Sequence, residues 1–211
     1  MHIFLYGPPG SGKSTVGKLL AQALNIPFLD LDTEIESLVG QTVPQIMAGQ
    51  GELAFRDAEA STLKKTALGE EKVVALGGGT LLRTENRALA ETTGQVILLN
   101  ADLPIFVRRL SRDGNERPLL AGELEAKLAD LLECRRDHYA SFPLRVDSSK
   151  PLEQVSWDIQ RLLGRYHLRG MGMDYDVIVQ EGGIDQLGEL LKSRDLHGPV
   201  LVVSDTNVAP R

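Results

Sequence analysis

A chain of 211 residues holds one full domain and part of another. Its net charge of −6, from 23 basic and 29 acidic residues, lacks the basic excess of a nucleic-acid binder. No segment reaches the ~18 apolar residues of a membrane span. Met1–Tyr6 runs straight into a glycine-rich loop, which leaves no room for a signal peptide. The single Cys134 excludes an internal disulfide and fits the cytoplasm.

In chain order, His2–Tyr6 is a short apolar run stopped by glycine and predicts a buried strand. Gly12–Asn25 carries Val16, Leu19, Leu20, Ala23 and Leu24 at helical spacing. Pro27–Leu31 is a second apolar run that ends in carboxylates. Thr33–Val39 and Val43–Leu68 predict helices broken around Gly40 and Gly49–Gly51. Val73–Leu76 is a third buried run, stopped by Gly77, Gly78 and Gly79. Glu85–Glu91 predicts a helix, Gln95–Leu99 a fourth strand and Pro104–Arg109 the start of another helix. Ser111–Gly122 is polar and reads as a long loop. Glu123–Tyr139 predicts one helix and Leu144–Asp147 a fifth strand. The stripe from Leu152 to Tyr166 predicts a closing helix.

Strands that alternate with helices imply an α/β domain, a five-stranded parallel sheet with helices on both faces, over residues 1–168. Residues 169–173 read as a linker. Within 174–211, Tyr175–Gln180 and Pro199–Ser204 predict strands and Ile184–Lys192 a helix. They read as a partial second α/β unit, barely begun where the chain stops at Arg211.

Gly7-Pro8-Pro9-Gly10-Ser11-Gly12-Lys13-Ser14 matches G-x-x-x-x-G-K-[ST] between a strand and a helix, the context that motif needs. Its amides turn inward around phosphate oxygens, and the helix start adds positive potential. Lys13 offers charge to the β- and γ-phosphates, and Ser14 a hydroxyl to Mg²⁺. The loop points to a nucleotide without saying which reaction follows.

Asp30 and Asp32 close the second strand, and a spacing of two would put them on one strand face. One could hold water on Mg²⁺ and the other accept the proton of an attacking hydroxyl; capping of the next helix is the alternative. Arg56 and Glu59 are helical neighbours, and in isolation a surface ion pair is the preferred reading. The glycine triplet permits close approach to a ligand, or is a loose turn. Arg117, in Arg117-Pro118-Leu119-Leu120, could close over phosphate or stand in solvent. Arg135 stands four residues before Tyr139 and is unremarkable alone.

Taken together, the phosphate loop, Asp-x-Asp, Phe-Arg-x-x-Glu, Gly-Gly-Gly, Arg-Pro-Leu-Leu and Arg-x-x-x-Tyr resemble the shikimate kinase family in order and approximate spacing. The resemblance implies a P-loop NTPase fold of nucleoside-monophosphate-kinase type. The implied activity is Mg²⁺-ATP-dependent phosphorylation of the 3-hydroxyl of shikimate by a monomeric kinase domain. It implies nucleotide contacts from Gly10, Ser11, Gly12, Lys13, Ser14, Thr15, Arg109 and Arg117, with Ser14 and Asp30 on the metal. It implies shikimate contacts from Asp32, Arg56, Gly78, Gly79 and Arg135, with Arg136 as the alternative to Arg135. Lys13, Asp32 and Arg117 are the implied catalytic groups. Gluconate or a nucleoside monophosphate as acceptor, and a nucleotide switch without a metabolite substrate, are the competing readings.

Residues 175–211 resemble the first residues of dehydroquinate synthase, an NAD- and Zn²⁺-dependent enzyme, through Val202-Val203-Ser204-Asp205-Thr206-Asn207-Val208. That resemblance implies NAD contacts from Asp205 and Asn207 and a kinase–synthase fusion. The zinc ligands and most of the NAD site of that family are missing from this sequence, so the fragment is expected to be inactive as a synthase.

Overall fold

The computed structural model of the chain describes residues 1–112, 121–170, 174–179, 183, 185, 187–193 and 198–199. Five strands form one parallel sheet: β1 (His2–Tyr6), β2 (Phe28–Asp30), β3 (Val73–Ala75), β4 (Gly94–Asn100) and β5 (Arg145–Asp147). Their spatial order is β2-β3-β1-β4-β5. β1 is central, with Ile3 opposite Val73 on one side and Gln95 on the other. A strand in that position is covered on both faces, which explains its uninterrupted apolar run.

The pleat divides β1 between two cores. Phe4 and Tyr6 face a cluster with Leu31, Ile35, Phe55, Leu63 and Phe142. Ile3 and Leu5 face another with Val16, Leu20, Val155, Ile159 and Leu163. The second core is closed by α1 (Lys13–Leu24) and α8 (Leu152–Leu163). α1 presses close to the sheet at Gly17, where a Cβ would meet the Phe28 ring at 2.4 Å. The first core is covered by α2 (Leu31–Val39), α3 (Val43–Ala67) and α4 (Thr84–Thr93). α5 (Leu103–Arg112) follows β4; α6 (Ala121–Cys134) and α7 (Arg136–Ala140) lead into β5.

Three local expectations change. Asp32 lies in the first turn of α2 and not on a strand, because Asp30 ends β2 and caps the helix, accepting from the amides of Asp32 and Thr33. By contrast, the break expected around Gly49–Gly51 is present: two helical segments of α3 meet at a kink at Gly51 (φ 82°, ψ 170°). The helix expected over Glu123–Tyr139 breaks at Arg135 (φ −105°, ψ 9°). The closing helix stops at Leu163, where left-handed Gly164 caps it. Tyr166 therefore belongs to β6 (Arg165–Leu168), its ring packed on Trp157 with centroids 5.3 Å apart.

The chain divides into two compact units, residues 1–177 and 178–211. β6 and β7 (Tyr175–Ile178) form a two-stranded sheet. Arg165 ties β6 to the first unit by two bonds to Glu71, at 2.8 and 3.0 Å. The second unit carries α9 (Leu187–Ser193). The strand expected at Pro199–Ser204 lies almost wholly outside the described residues. Among the described residues no helix is long and apolar enough to cross a membrane.

Candidate active site

The functional residues gather at the carboxyl ends of β1, β2 and β3, where ligands bind in open parallel sheets. The loop after β1 needs left-handed backbone at Gly10 (φ 77°) and Gly12 (φ 87°), which glycine adopts without strain. Lys13 folds back over this loop, its Nζ donating to the carbonyls of Gly7 and Pro8, both at 3.0 Å. Burial brings the Lys13 pKa down to about 8, against the opposing pull of Asp32 and Asp30.

Ser14 Oγ donates to Asp30 Oδ2 at 2.5 Å. Asp30 therefore caps α2 with one oxygen and reaches the phosphate loop with the other. Asp32 Oδ1 is buried and has no hydrogen-bond partner among the described residues. Burial, then the neighbouring charges of Asp30 and Glu59, push the Asp32 pKa up to about 6. Ser14, Asp30 and Asp32 are hard oxygen donors that fit Mg²⁺. No cluster of three or more His, Cys, Asp or Glu side chains forms a metal cage among the described residues.

Arg56 and Glu59 are more than a surface pair. Glu59 is buried, takes Arg56 Nη1 at 2.9 Å on one oxygen and accepts from the Thr80 hydroxyl on the other. The glycines are small for this reason. A Cβ at Gly77 would stand 2.8 Å from Glu59 Oε1 and 3.1 Å from Asp32 Oδ1, and one at Gly79 2.8 Å from Arg56 Nη2.

Gly78 lies between the phosphate loop and α7. A Cβ there would come within 3.3 Å of Gly7 O and 3.4 Å of Pro9 Cδ. Its carbonyl accepts from Arg135 Nη1 at 2.7 Å, and from the hydroxyls of Tyr6 and Tyr139, each at 3.2 Å. The break between α6 and α7 falls at Arg135, the residue that makes this bond. Arg136 turns outward to Glu133 at 3.0 Å and to Asp137 at 3.7 Å, so only Arg135 joins the glycines.

Arg109 spans the other side of the phosphate loop. Nη1 donates to the carbonyls of Gly10 and Ser11, each at 3.3 Å, and Nη2 to that of Ser148 at 2.6 Å. It lines a cleft of about 300 Å³ with Gly12, Thr15, Lys150, Leu152 and Val155. A planar guanidinium and an apolar wall side by side suit a nucleotide base.

The structure thus brings together Gly10, Ser11, Gly12, Lys13, Ser14, Thr15, Asp30, Asp32, Arg56, Gly78, Gly79, Arg109 and Arg135. Arg117, Asp205 and Asn207 lie outside the described residues. Sequence reasoning missed Tyr6, Thr80, His138 and Ser148. A hydroxyl at the end of the otherwise apolar His2–Tyr6 run was the one signal available for Tyr6.

The profile of the family described as Shikimate kinase matches residues 9–163. Shikimate kinase of Synechococcus elongatus is 42% identical over 164 residues, which span 77% of this chain and 85% of that protein. The crystal structure of shikimate kinase from Bacteroides thetaiotaomicron superposes with a TM-score of 0.72 at 32% identity, over 77% of this chain and 98% of that one. Shikimate kinase from Acinetobacter baumannii in complex with shikimate gives a TM-score of 0.70 at 34% identity, over 76% and 91%.

Proposed function

This chain belongs to the shikimate kinase family, and from that membership we propose that it transfers the γ-phosphoryl group of ATP to the 3-hydroxyl of shikimate. The observation that carries the reading is the position of Gly78. A Cβ at this position would come within 3.3 Å of Gly7 O in the phosphate loop, and the Gly78 carbonyl bonds Arg135, so an acceptor held by the arginine would lie next to the γ-phosphate.

ATP occupies the loop from Gly10 to Thr15, with its base in the Arg109 cleft. Lys13 meets the β- and γ-phosphates. Ser14 and Asp30 would hold Mg²⁺, which would neutralise phosphate charge when bound. Arg56 and Arg135 clamp the acceptor carboxylate, a task suited to a planar guanidinium. The amides of Gly78 and Gly79 line the same pocket. Asp32 holds the acceptor hydroxyl and takes its proton as the oxygen attacks phosphorus and the bond to ADP breaks. A carboxylate whose pKa is near 6 is a better base at neutral pH than an ordinary aspartate. Arg117 supplies a further positive charge to the transferring group.

We assign residues 1–168 to the kinase, active as a monomer in the cytoplasm, and 169–173 to a linker. Residues 174–211 form the start of a unit resembling dehydroquinate synthase, with Asp205 and Asn207 as its NAD-facing pair. Zn²⁺ chemistry belongs to the remainder of such a synthase, whose ligands are not in this sequence.

Coupled ADP detection tests the kinase reading. ADP release should depend on shikimate and not on gluconate or nucleoside monophosphates. An ATPase rate indifferent to shikimate would overturn it.

A further inference from the structure

The Gly78 carbonyl carries more donors than a strand end needs. It has two lone pairs, yet Arg135, Tyr139 and Tyr6 all donate to it. Behind Tyr6 stands a fourth group, His138, whose Nε2 lies 3.0 Å from the Tyr6 hydroxyl. A tyrosine hydroxyl has one hydrogen. With that hydrogen given to Gly78, the oxygen is left to accept from Nε2–H of His138. The bonds then run in one direction, from His138 to Tyr6 to Gly78.

The imidazole is held for this role. Its ring meets Tyr6 edge-on, with centroids 5.7 Å apart, and Phe142 edge-on at 5.2 Å. Arg87 covers the Phe142 ring at 4.4 Å and ties to Ser141 at 2.7 Å, which closes the end of α7. Burial lowers the His138 pKa, and the charges of Arg87 and Arg135 lower it further. A neutral ring carries one N–H, and the Tyr6 oxygen selects Nε2 as its place. Tyr6 also ends β1 directly before Gly7, so its backbone leads into the phosphate loop while its side chain reaches the glycine triplet.

We propose that Tyr6 and His138 are positioning residues for the acceptor pocket: through the Gly78 carbonyl they fix the Gly78–Gly79 backbone and the Arg135 guanidinium in the orientation that receives the acceptor. Neither residue touches the reacting atoms. The inference rests on the reading above, in which Arg135 and Gly79 bind shikimate. A tyrosine that only satisfied its own buried hydroxyl would affect stability and leave acceptor affinity alone.

Steady-state kinetics of Tyr6→Phe, His138→Leu and His138→Gln in the full chain separate the two roles. In Tyr6→Phe and His138→Leu the KM for shikimate should rise about three- to tenfold, the worth of one neutral hydrogen bond. Their kcat and KM for ATP should stay within about twofold, since the lost bond is neutral. The Gln amide can donate where Nε2 does, so His138→Gln should recover most of the loss. Nitrogen chemical shifts of the wild-type ring should report the Nε2–H tautomer. A shikimate KM unmoved in Tyr6→Phe, a parallel loss in both substrates, or an Nδ1–H tautomer each overturns the proposal while the kinase reading stands. Should Tyr6→Phe fail to fold, the two His138 variants decide by the same split. A wild-type enzyme without shikimate-dependent turnover sinks the kinase reading and this inference together.

Discussion

Arg56 Nη1 lies 2.9 Å from Glu59 Oε2, in an ion pair whose acid is 1% exposed and whose base is 20% exposed. The arginine thus neutralises a buried carboxylate as well as standing where the proposed acceptor pocket lies. Removing one partner of such a pair strands the other, at a cost of about 3–5 kcal/mol. Arg56→Ala should therefore weaken shikimate binding and lower the melting temperature together. Calorimetry and thermal unfolding measure both. A variant with wild-type melting and reduced affinity would mean that Glu59 finds another partner.

Arg135 and Arg136 offer a cleaner separation. Arg135 bonds the Gly78 carbonyl, whereas Arg136 is exposed and, among the described residues, pairs with Glu133 and Asp137. Arg135→Ala should cost shikimate affinity ~1.5–3 kcal/mol, the range for a charged hydrogen bond, with ADP affinity intact. Arg136→Ala should change neither. A larger effect at Arg136 would mean that the acceptor pocket lies on the other side of α7.

Lys13 has a folded pKa of about 8 against an ordinary 10.5. Between those values the unfolded chain holds a proton that the native state has released, so the free protein gains stability as pH rises through the window. Nucleotide binding has the opposite dependence, because phosphate needs the ammonium form. ATP affinity should fall as pH passes 8 in the wild type and be weaker but flat in Lys13→Ala. Turnover in Lys13→Ala should drop by orders of magnitude. Titration calorimetry from pH 7 to 9.5 is the measurement, and near-normal turnover in the variant would remove Lys13 from the chemistry.

Asp32 is shifted the other way, from 3.8 to about 6. In that interval the native state binds the proton more tightly than the unfolded chain, so stability declines as pH rises from about 4 to 6. Asp32→Asn deletes the charge and keeps the shape. The free variant should melt above the wild type at pH 7.5, and the gap should close as pH falls toward 4. It should transfer no phosphate yet bind ADP nearly normally. Equal melting at pH 7.5 would show that the carboxylate is not penalised by burial, and normal transfer would show that it is not the base.

Much of this was legible in the sequence because strong local patterns set it. The His2–Tyr6 run, the glycine loop and the stripe of α1 gave β1, the phosphate cradle and the helix behind it. Where reading failed, distant contacts decided. Asp32 looked like a strand residue until Asp30 capped α2. The stripe that seemed to carry α8 through Tyr166 ended at Gly164, and the aromatic ring reached Trp157 from a strand. Tyr6 and His138 are 132 positions apart, and no local pattern joins them. Glu59 read as a surface acid because the Thr80 hydroxyl and the glycine backbone that bury it come from another part of the chain.

The segment after α8 gives the last prediction. Arg165 makes two bonds to Glu71, just before β3, and Tyr166 packs on Trp157 of α8, so β6 is fastened to the first unit by its own side chains. Beyond it, Arg169 bonds the Gln22 carbonyl at 3.0 Å and Asn25 Oδ1 at 3.3 Å, both at the exposed end of α1. Gln22 and Asn25 stand at the end of α1 opposite Lys13, the residue that joins α1 to the phosphate loop. A chain cut after Leu168 keeps Arg165 and should retain shikimate-dependent turnover within about twofold, since exposed contacts such as those of Arg169 contribute little. A chain cut after Gly164 leaves Glu71, among the described residues, with the N-terminal amine as its partner. It should lose ~1.5–3 kcal/mol for the charged bonds, which lowers the melting point by roughly 3–10 °C in a domain of this size. Turnover at 25 °C should survive both cuts. A large loss of activity on the cut after Leu168 would instead make residues 169–211 a working part of the kinase, and the two shortened chains assayed side by side decide between these outcomes.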